Sequence, residues 1–169
     1  MDYVLEPPHG VGPLRLGMTV EEAKAALESL GPLEPTIEGG GYFVFLPSGL
    51  GFNVGFGAGP SRDRVNAIEL HRPGSADTVR FRDVDVFALP ALEVVERLRR
   101  HIDIVSSEDD DGFFANEVYL ALWRPFAADD DPDEEQGYYF QSVMIARPGY
   151  DDTPAQAAAR LAAGGQPGY

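Results

Sequence analysis

Two acidic runs hold most of the residues whose type and spacing could do chemistry: Glu108-Asp109-Asp110-Asp111 and Asp129-Asp130-Asp131-Pro132-Asp133-Glu134-Glu135. Asp129, Asp131 and Asp133 stand at alternate positions, as the first ligands of a calcium loop do. Such a loop then requires glycine at its sixth position and glutamate at its twelfth, where this chain has Glu134 and Phe140. The runs are therefore read as solvated loops that bind no metal tightly. Placed at one end of a sheet, they would form a strongly negative rim. His9, His71 and His101 lack His-x-x-x-His or His-Glu-x-x-His spacing, so no local zinc site is expected. Ser48, in Leu46-Pro47-Ser48-Gly49-Leu50, lacks the leading glycine of a nucleophile elbow. Gly55, Gly57 and Gly59 are followed by Pro60 rather than by a lysine and a helix, which removes a phosphate loop. No catalytic residue and no cofactor is expected.

Aromatic residues are the other candidate surface. Tyr42, Phe43 and Phe45 share one segment, and Phe113, Phe114, Trp123, Tyr138, Tyr139 and Phe140 repeat the theme later. A sheet buried on one face cannot hide both sides of so many aromatic strands. Some of Tyr42, Tyr119, Trp123 and Tyr138 are expected to be exposed, as Tyr and Trp are at interfaces. The candidate partner-binding residues are thus Asp109, Asp110, Asp111, Trp123, Asp129, Asp130, Asp131, Asp133, Glu134, Glu135 and Tyr138.

The elements that must position them follow from periodicity. Thr19 and Glu22 form a capping box ahead of a helix over Val20–Leu30, with Ala23, Ala26, Leu27 and Leu30 on one stripe and Gly31-Pro32 as its stop. Tyr42–Leu46 and Leu50–Phe56 read as a hairpin around Pro47-Ser48-Gly49, and Arg64–His71 as a third strand. Pro90 opens a second helix carrying Leu92, Val95, Leu98 and Ile102. Strands at Phe113–Ala115, Val118–Trp123 and Tyr138–Arg147 follow. Thr78–Phe81 and Val84–Phe87 read as a further strand or crossing pair. Thr153-Pro154-Ala155-Gln156 opens a short Ala-rich helix to about Ala163.

The two halves share one register. At an offset of 75, Arg64–Gly74 falls on Tyr139–Gly149, both ending in Arg-Pro-Gly, while Val20-Glu21 falls on Val95-Glu96 and Leu27 on Ile102. The expectation is an α+β fold: two tandem helix-plus-antiparallel-meander units (about 12–78 and 84–153) in a single domain over 1–169, forming a sheet with helices packed on one face. Its other face would be free to bind.

Composition limits what that face can meet. The 169 residues carry a net charge of −15, and residues 101–169 alone hold 3 basic and 14 acidic side chains, net −11. Phosphate binding draws its affinity from basic side chains, so no nucleic-acid partner is expected. Longer apolar stretches are broken by Gly, Pro or charge, so no membrane span is expected. The absence of cysteine excludes disulfides and thiolate metal sites. With no basic or apolar leader at Met1–Pro8, this points to the cytoplasm. Twelve of the thirteen basic residues are arginine, a bias that fits a GC-rich bacterial genome.

The run Leu16-Gly17-Met18-Thr19-Val20-Glu21-Glu22-Ala23, continued by Leu27 and Gly31-Pro32, resembles the opening of known helix-then-strands repeats. These are the SmpA/OmlA outer-membrane assembly lipoproteins and the β-lactamase inhibitor proteins, the latter with two tandem copies. The resemblance covers about 17 residues and implies the fold alone. The lipoprotein cysteine, the signal and the disulfide cysteines are absent, and Ala23 stands where a branched apolar residue is usual. Arg147-Pro148-Gly149-Tyr150-Asp151 is also similar to strand ends in small acidic bacterial proteins of immunity type. The leading expectation is a non-catalytic binding protein of immunity or inhibitor type that caps a basic protein partner, such as a toxin. Two alternatives stand beside it. One is a small-ligand domain or enzyme with a pocket between sheet and helix, drawing on Arg72, Arg147, His71 or Asp residues. The other is a structural or assembly adaptor.

Overall fold

A computed structural model describes residues 1–36, 40–57, 62–74, 76–150 and 154–164. The fold is mixed α+β and mostly sheet, with four short helices and two sheets among the described residues. The sequence led to one sheet; the second arises at the amino terminus. There β1 (Asp2–Glu6) alternates exposed and buried residues, with Tyr3 and Leu5 turned inward. It pairs antiparallel with β2 (Gly10–Val11), which pairs with β3 (Leu14–Arg15), and parallel with β8 (Thr78–Phe81), which turns into β9 (Val84–Asp85). Tyr3 meets Phe52 edge-on at 5.1 Å, which joins the small sheet to the larger one.

Helix α1 (Val20–Glu28) starts at the expected capping box. Glu22 N–H donates to Thr19 Oγ1 at 3.2 Å, and Thr19 N–H to the Glu22 carboxylate at 2.9 Å. Its buried Ala23 and Leu27 lie on the side facing β3, β5 (Gly41–Phe45) and β6 (Gly51–Phe56). Helix α2 (Ala91–Leu98) buries Ala91, Val94, Val95 and Leu98, while Leu92 is exposed, so its stripe is rotated from the expected one. Helix α4 (Pro154–Ala162) stands where the Ala-rich segment predicted it; its proposed cap, Thr153, lies outside the described residues.

The large sheet has eight antiparallel strands in the order β10-β11-β12-β13-β7-β6-β5-β4. These are β4 (Glu34–Pro35), β5 (Gly41–Phe45), β6 (Gly51–Phe56), β7 (Val65–His71), β10 (Val105–Ser106), β11 (Gly112–Ala115), β12 (Leu120–Trp123) and β13 (Ser142–Ala146). β12 begins two residues later than expected because Val118 and Tyr119 form the turn out of β11. β13 begins at Ser142 because Glu135–Tyr138 forms the short helix α3.

The central pair is β7 with β13, and Glu69 stands directly opposite Met144. On either side of that pair the backbone bonds are reciprocal. Arg72 N–H donates to the Gln141 carbonyl at 2.8 Å, and Arg147 N–H to the Asn66 carbonyl at 2.9 Å.

Side chains alternate across the sheet. One face carries Val44, Phe52, Leu70, Val143, Leu122 and Phe113 in a row across six strands, all buried. At about 25 cal/mol per Å² of apolar area removed from water, such rows dominate the favourable side of folding. The opposite row, Phe43, Asn53, Glu69, Met144, Ala121 and Phe114, is half-buried or exposed.

Candidate functional site

That second face is the candidate site. Its next row runs Phe45, Gly51, His71, Ser142, Trp123 and Gly112. Phe45 is 55% exposed and Trp123 49%, with Phe114 and Val105 also exposed at the far edge. Four large apolar side chains on one sheet face are what a contact surface leaves in solvent.

Two shallow hollows open on this face, one on each side of the central strands. A hollow of about 230 Å³ is lined by Phe114, Asn116, Tyr119, Ala121, Met144 and Tyr150 among others. One of about 170 Å³ is lined by Phe43, Phe45, Gly51, Asn53 and His71, with Phe52 beneath. Tyr119 takes a left-handed backbone, φ 54°, in the turn that sets the edge of the first hollow. A bulky residue there is strained, and such strain persists where the surroundings enforce it. Phe45 lies 6.4 Å from the His71 ring, and His71 Nε2 is 3.9 Å from the Glu69 carboxylate.

The acidic runs lie at the Trp123 end of this face, and a residue the sequence reading passed over brings them together. Arg124 follows Trp123 and is fully buried. Its Nε donates to the Asp110 carbonyl at 2.9 Å; Nη1 donates to Asp129 Oδ1 at 2.6 Å and to the Gly137 carbonyl at 2.7 Å; Nη2 reaches Asp129 Oδ2 at 3.3 Å. Arg124 N–H also bonds the Asp111 carbonyl at 2.9 Å. One guanidinium thus ties the 108–111 loop to the 129–137 loop, in the two-pronged geometry that arginine offers a carboxylate. A signal was present: Arg124 is the only arginine or lysine between Arg100 and Arg147, and it sits between the two acidic runs.

The candidate residues sort by their partners. Asp109, Asp130, Asp133 and Glu134 are exposed. Asp131 is exposed and accepts the Asp133 N–H at 3.1 Å. Asp110 adopts φ 51° and offers its carbonyl to Arg124. Asp111 accepts the Ser107 hydroxyl at 2.5 Å, and Asp129 is the clamp's carboxylate, so these two order the loops. Glu135 pairs with Arg72 at 3.2 Å. Tyr138 is half-buried, edge-on to Tyr139 at 5.0 Å, so it is less open than Trp123. Phe45, Phe114, Val105 and Met144 are further members of the face. Their alternation was legible, but which side would be covered was not.

The residues of the enzyme alternative are not brought together. Arg72 stacks 4.3 Å over Tyr139 and bonds the Phe87 carbonyl. His71 lies on the aromatic face, and Arg147 at the opposite end of the central strands. A further hollow of about 300 Å³ lies beside Arg72, Asp77, Asp85 and Phe87, whose charged groups have partners within the fold. Asp85 accepts two backbone N–H groups. Asp77 accepts the Ser48 hydroxyl and the Met1 amino group, which hold its carboxyl below the ordinary range. Among the described residues no three His, Asp or Glu side chains converge as a metal-binding group. Among the described helices none is long and apolar enough to cross a membrane.

Compared with protein-family models, curated proteins and solved structures, the chain matches none.

Proposed function

We propose that the protein is a non-catalytic binding protein of immunity or inhibitor type, whose open sheet face and acidic rim cap a basic protein partner. The observation that carries this reading is Trp123, an exposed aromatic at the end of the open face. The next residue, Arg124, fastens both acidic loops beside it.

The dimensions require both parts. Eight strands about 4.8 Å apart give a face roughly 34 Å wide, and four or five residues of strand give about 15 Å of height. Near 500 Å² falls short of the roughly 800 Å² per partner of a standard interface, so the loops must contribute area as well as charge. Aromatics would hold the complex, while loop carboxylates would steer a cationic partner over the 8–10 Å that salt permits.

The two halves of the large sheet are read as tandem units of one domain, each a helix followed by four antiparallel strands. The strand order, the opposed Glu69 and Met144, and the reciprocal Arg72 and Arg147 bonds support duplication, since each of these pairs is related by 75 positions. The likeness to tandem helix-then-strands inhibitors belongs to the same proposal.

Capture from the native host tests the function. The wild-type protein should retain a basic protein that the Trp123→Asp, Phe45→Asp variant does not, while a variant changed on α2, Glu96→Gln, retains it. Equal retention by the sheet-face variant would refute the reading.

A further inference from the structure

Resting on that reading of the sheet face, we infer that its occupant is an extended, cationic segment crossing the strands nearly at right angles. This segment places two apolar side chains, four residues apart, in the two hollows and a basic side chain between them on Glu69.

The spacing comes from the sheet. The smaller hollow is built from β5, β6 and β7, with β6 as its middle strand, contributing Gly51 and Asn53. The larger is built from β11, β12 and β13 with the turn before β12, and β12 is its middle strand, contributing Ala121. From β6 to β12 there are three interstrand steps, through β7 and β13. At about 4.8 Å each, the hollows lie roughly 14 Å apart measured across the strands. An extended chain rises about 3.3 Å per residue, so residues i and i+4 are about 13 Å apart and project from the same side, with i+2 between them. Near-orthogonal crossing is an established way for strands to pack face to face.

The midpoint has the charge such a segment needs. It falls between β7 and β13, where Glu69 is opposite Met144. Glu69 is the carboxylate on the central pair of strands, and its side chain is one-third exposed. Asn53 and Met144 flank it in the row, and among the described residues His71 Nε2 is the nitrogen paired with it, 3.9 Å away. A lysine or arginine at i+2 would pair with Glu69, its stem lying on Met144. An acidic side chain there would meet Glu69 and the field of the neighbouring loops, which favours a basic one.

The hollows ask for moderate apolar groups. Volumes of about 170 and 230 Å³ admit a leucine, methionine or phenylalanine side chain. Their walls, Phe43 and Phe45 on one side, Phe114, Tyr119 and Met144 on the other, are aromatic or thioether surfaces that pack adaptably against such groups.

Blocked seven-residue synthetic peptides test the geometry, read by amide chemical shifts of the full-length protein. The probe carries two leucines four residues apart with arginine midway. Controls have two- or six-residue spacing, or glutamate midway. The probe should shift the amides of Gly51 and Asn53 together with those of Ala121 and Met144 along one saturation curve, at least threefold tighter than any control. Glu69→Gln should reduce the preference for arginine over glutamate at least threefold and leave the spacing preference intact. Shifts at one hollow only, or affinity indifferent to spacing, would overturn the inference. Shifts confined to 107–111 and 128–135 would also overturn it and leave the basic-partner reading standing. No shift at either hollow with any peptide at millimolar concentration would overturn it too, and the Trp123→Asp, Phe45→Asp capture would then decide the broader reading by itself.

Discussion

The buried guanidinium of Arg124 holds the carboxylate of Asp129 at 2.6 Å, and the same group bonds the Asp110 carbonyl of the other acidic loop. Arg124 is fully buried, whereas the Asp129 side chain keeps 30% of its exposure. Breaking a fully buried pair costs about 3–5 kcal/mol, and solvent at Asp129 lowers that to roughly 2–4. Arg124→Met should therefore destabilise by about 2–4 kcal/mol in urea unfolding. Amide exchange should quicken across 107–111 and 128–138, where two carbonyls also lose their donor. Unchanged stability would show that the clamp is ornamental.

Loop charge should act on encounter. The residues to neutralise are Asp109, Asp130, Asp131, Asp133 and Glu134; Asp111, Asp129 and Glu135 are left because they hold the loops in place. This five-site variant should associate with a basic partner about tenfold more slowly at low salt, with a flatter salt dependence and nearly unchanged dissociation. Surface kinetics across a salt series measure both.

Trp123 should act on residence time. Trp123→Ala should raise the dissociation rate about tenfold or more, since desolvated aromatics dominate retention. Its effect on folding should stay within about 0.5 kcal/mol, the usual range for an exposed position.

Tyr119 trades stability for shape. Its left-handed backbone, φ 54°, suits asparagine better than tyrosine. Tyr119→Asn should raise stability by roughly 0.5–1 kcal/mol in thermal or urea unfolding and remove a wall of the larger hollow, weakening occupancy there.

Asp77 gives the fold an acid-sensitive contact. The Ser48 hydroxyl, then the amino terminus, hold its carboxyl below the ordinary value of 3.8. A carboxyl lowered by folding stabilises fully above its unfolded value and loses that contribution as pH falls through its folded one. Asp77→Asn should therefore be less stable than the native protein near pH 7. The gap should close as the pH drops below 3.8 and on towards the lowered folded value, as urea unfolding at several pH values would show.

Much of the fold was legible, for local reasons. The capping box at Thr19 and Glu22 and the alternation through Leu50–Phe56 are written in adjacent residues and stand where they were read. Of the small sheet, β8 stands at Thr78–Phe81 and β9 starts at Val84, as their residue types led one to expect; the rest was not legible, because β2 and β3 are two residues long and β1 finds β8 across more than seventy positions. Leu92 misled because it falls on a helical stripe, although the buried stripe turns on Ala91, Val94 and Val95. Of the site, the acidic loops and Trp123 could be named from residue type. Arg124 could not be weighed, since an arginine's worth depends on burial and on carbonyls such as that of Gly137, which sequence does not place. The bond of Asp129 to Arg124 was hidden for the same reason.

Hydrogen exchange on the captured complex measures the central claim most directly. The expected result is added protection in β5, β11 and β12 and in the loops 107–111 and 128–135, with α1 and α2 exchanging as in the free protein. Protection centred on α1, α2 or the β8–β9 hairpin, with the sheet face and acidic loops unchanged, would contradict it.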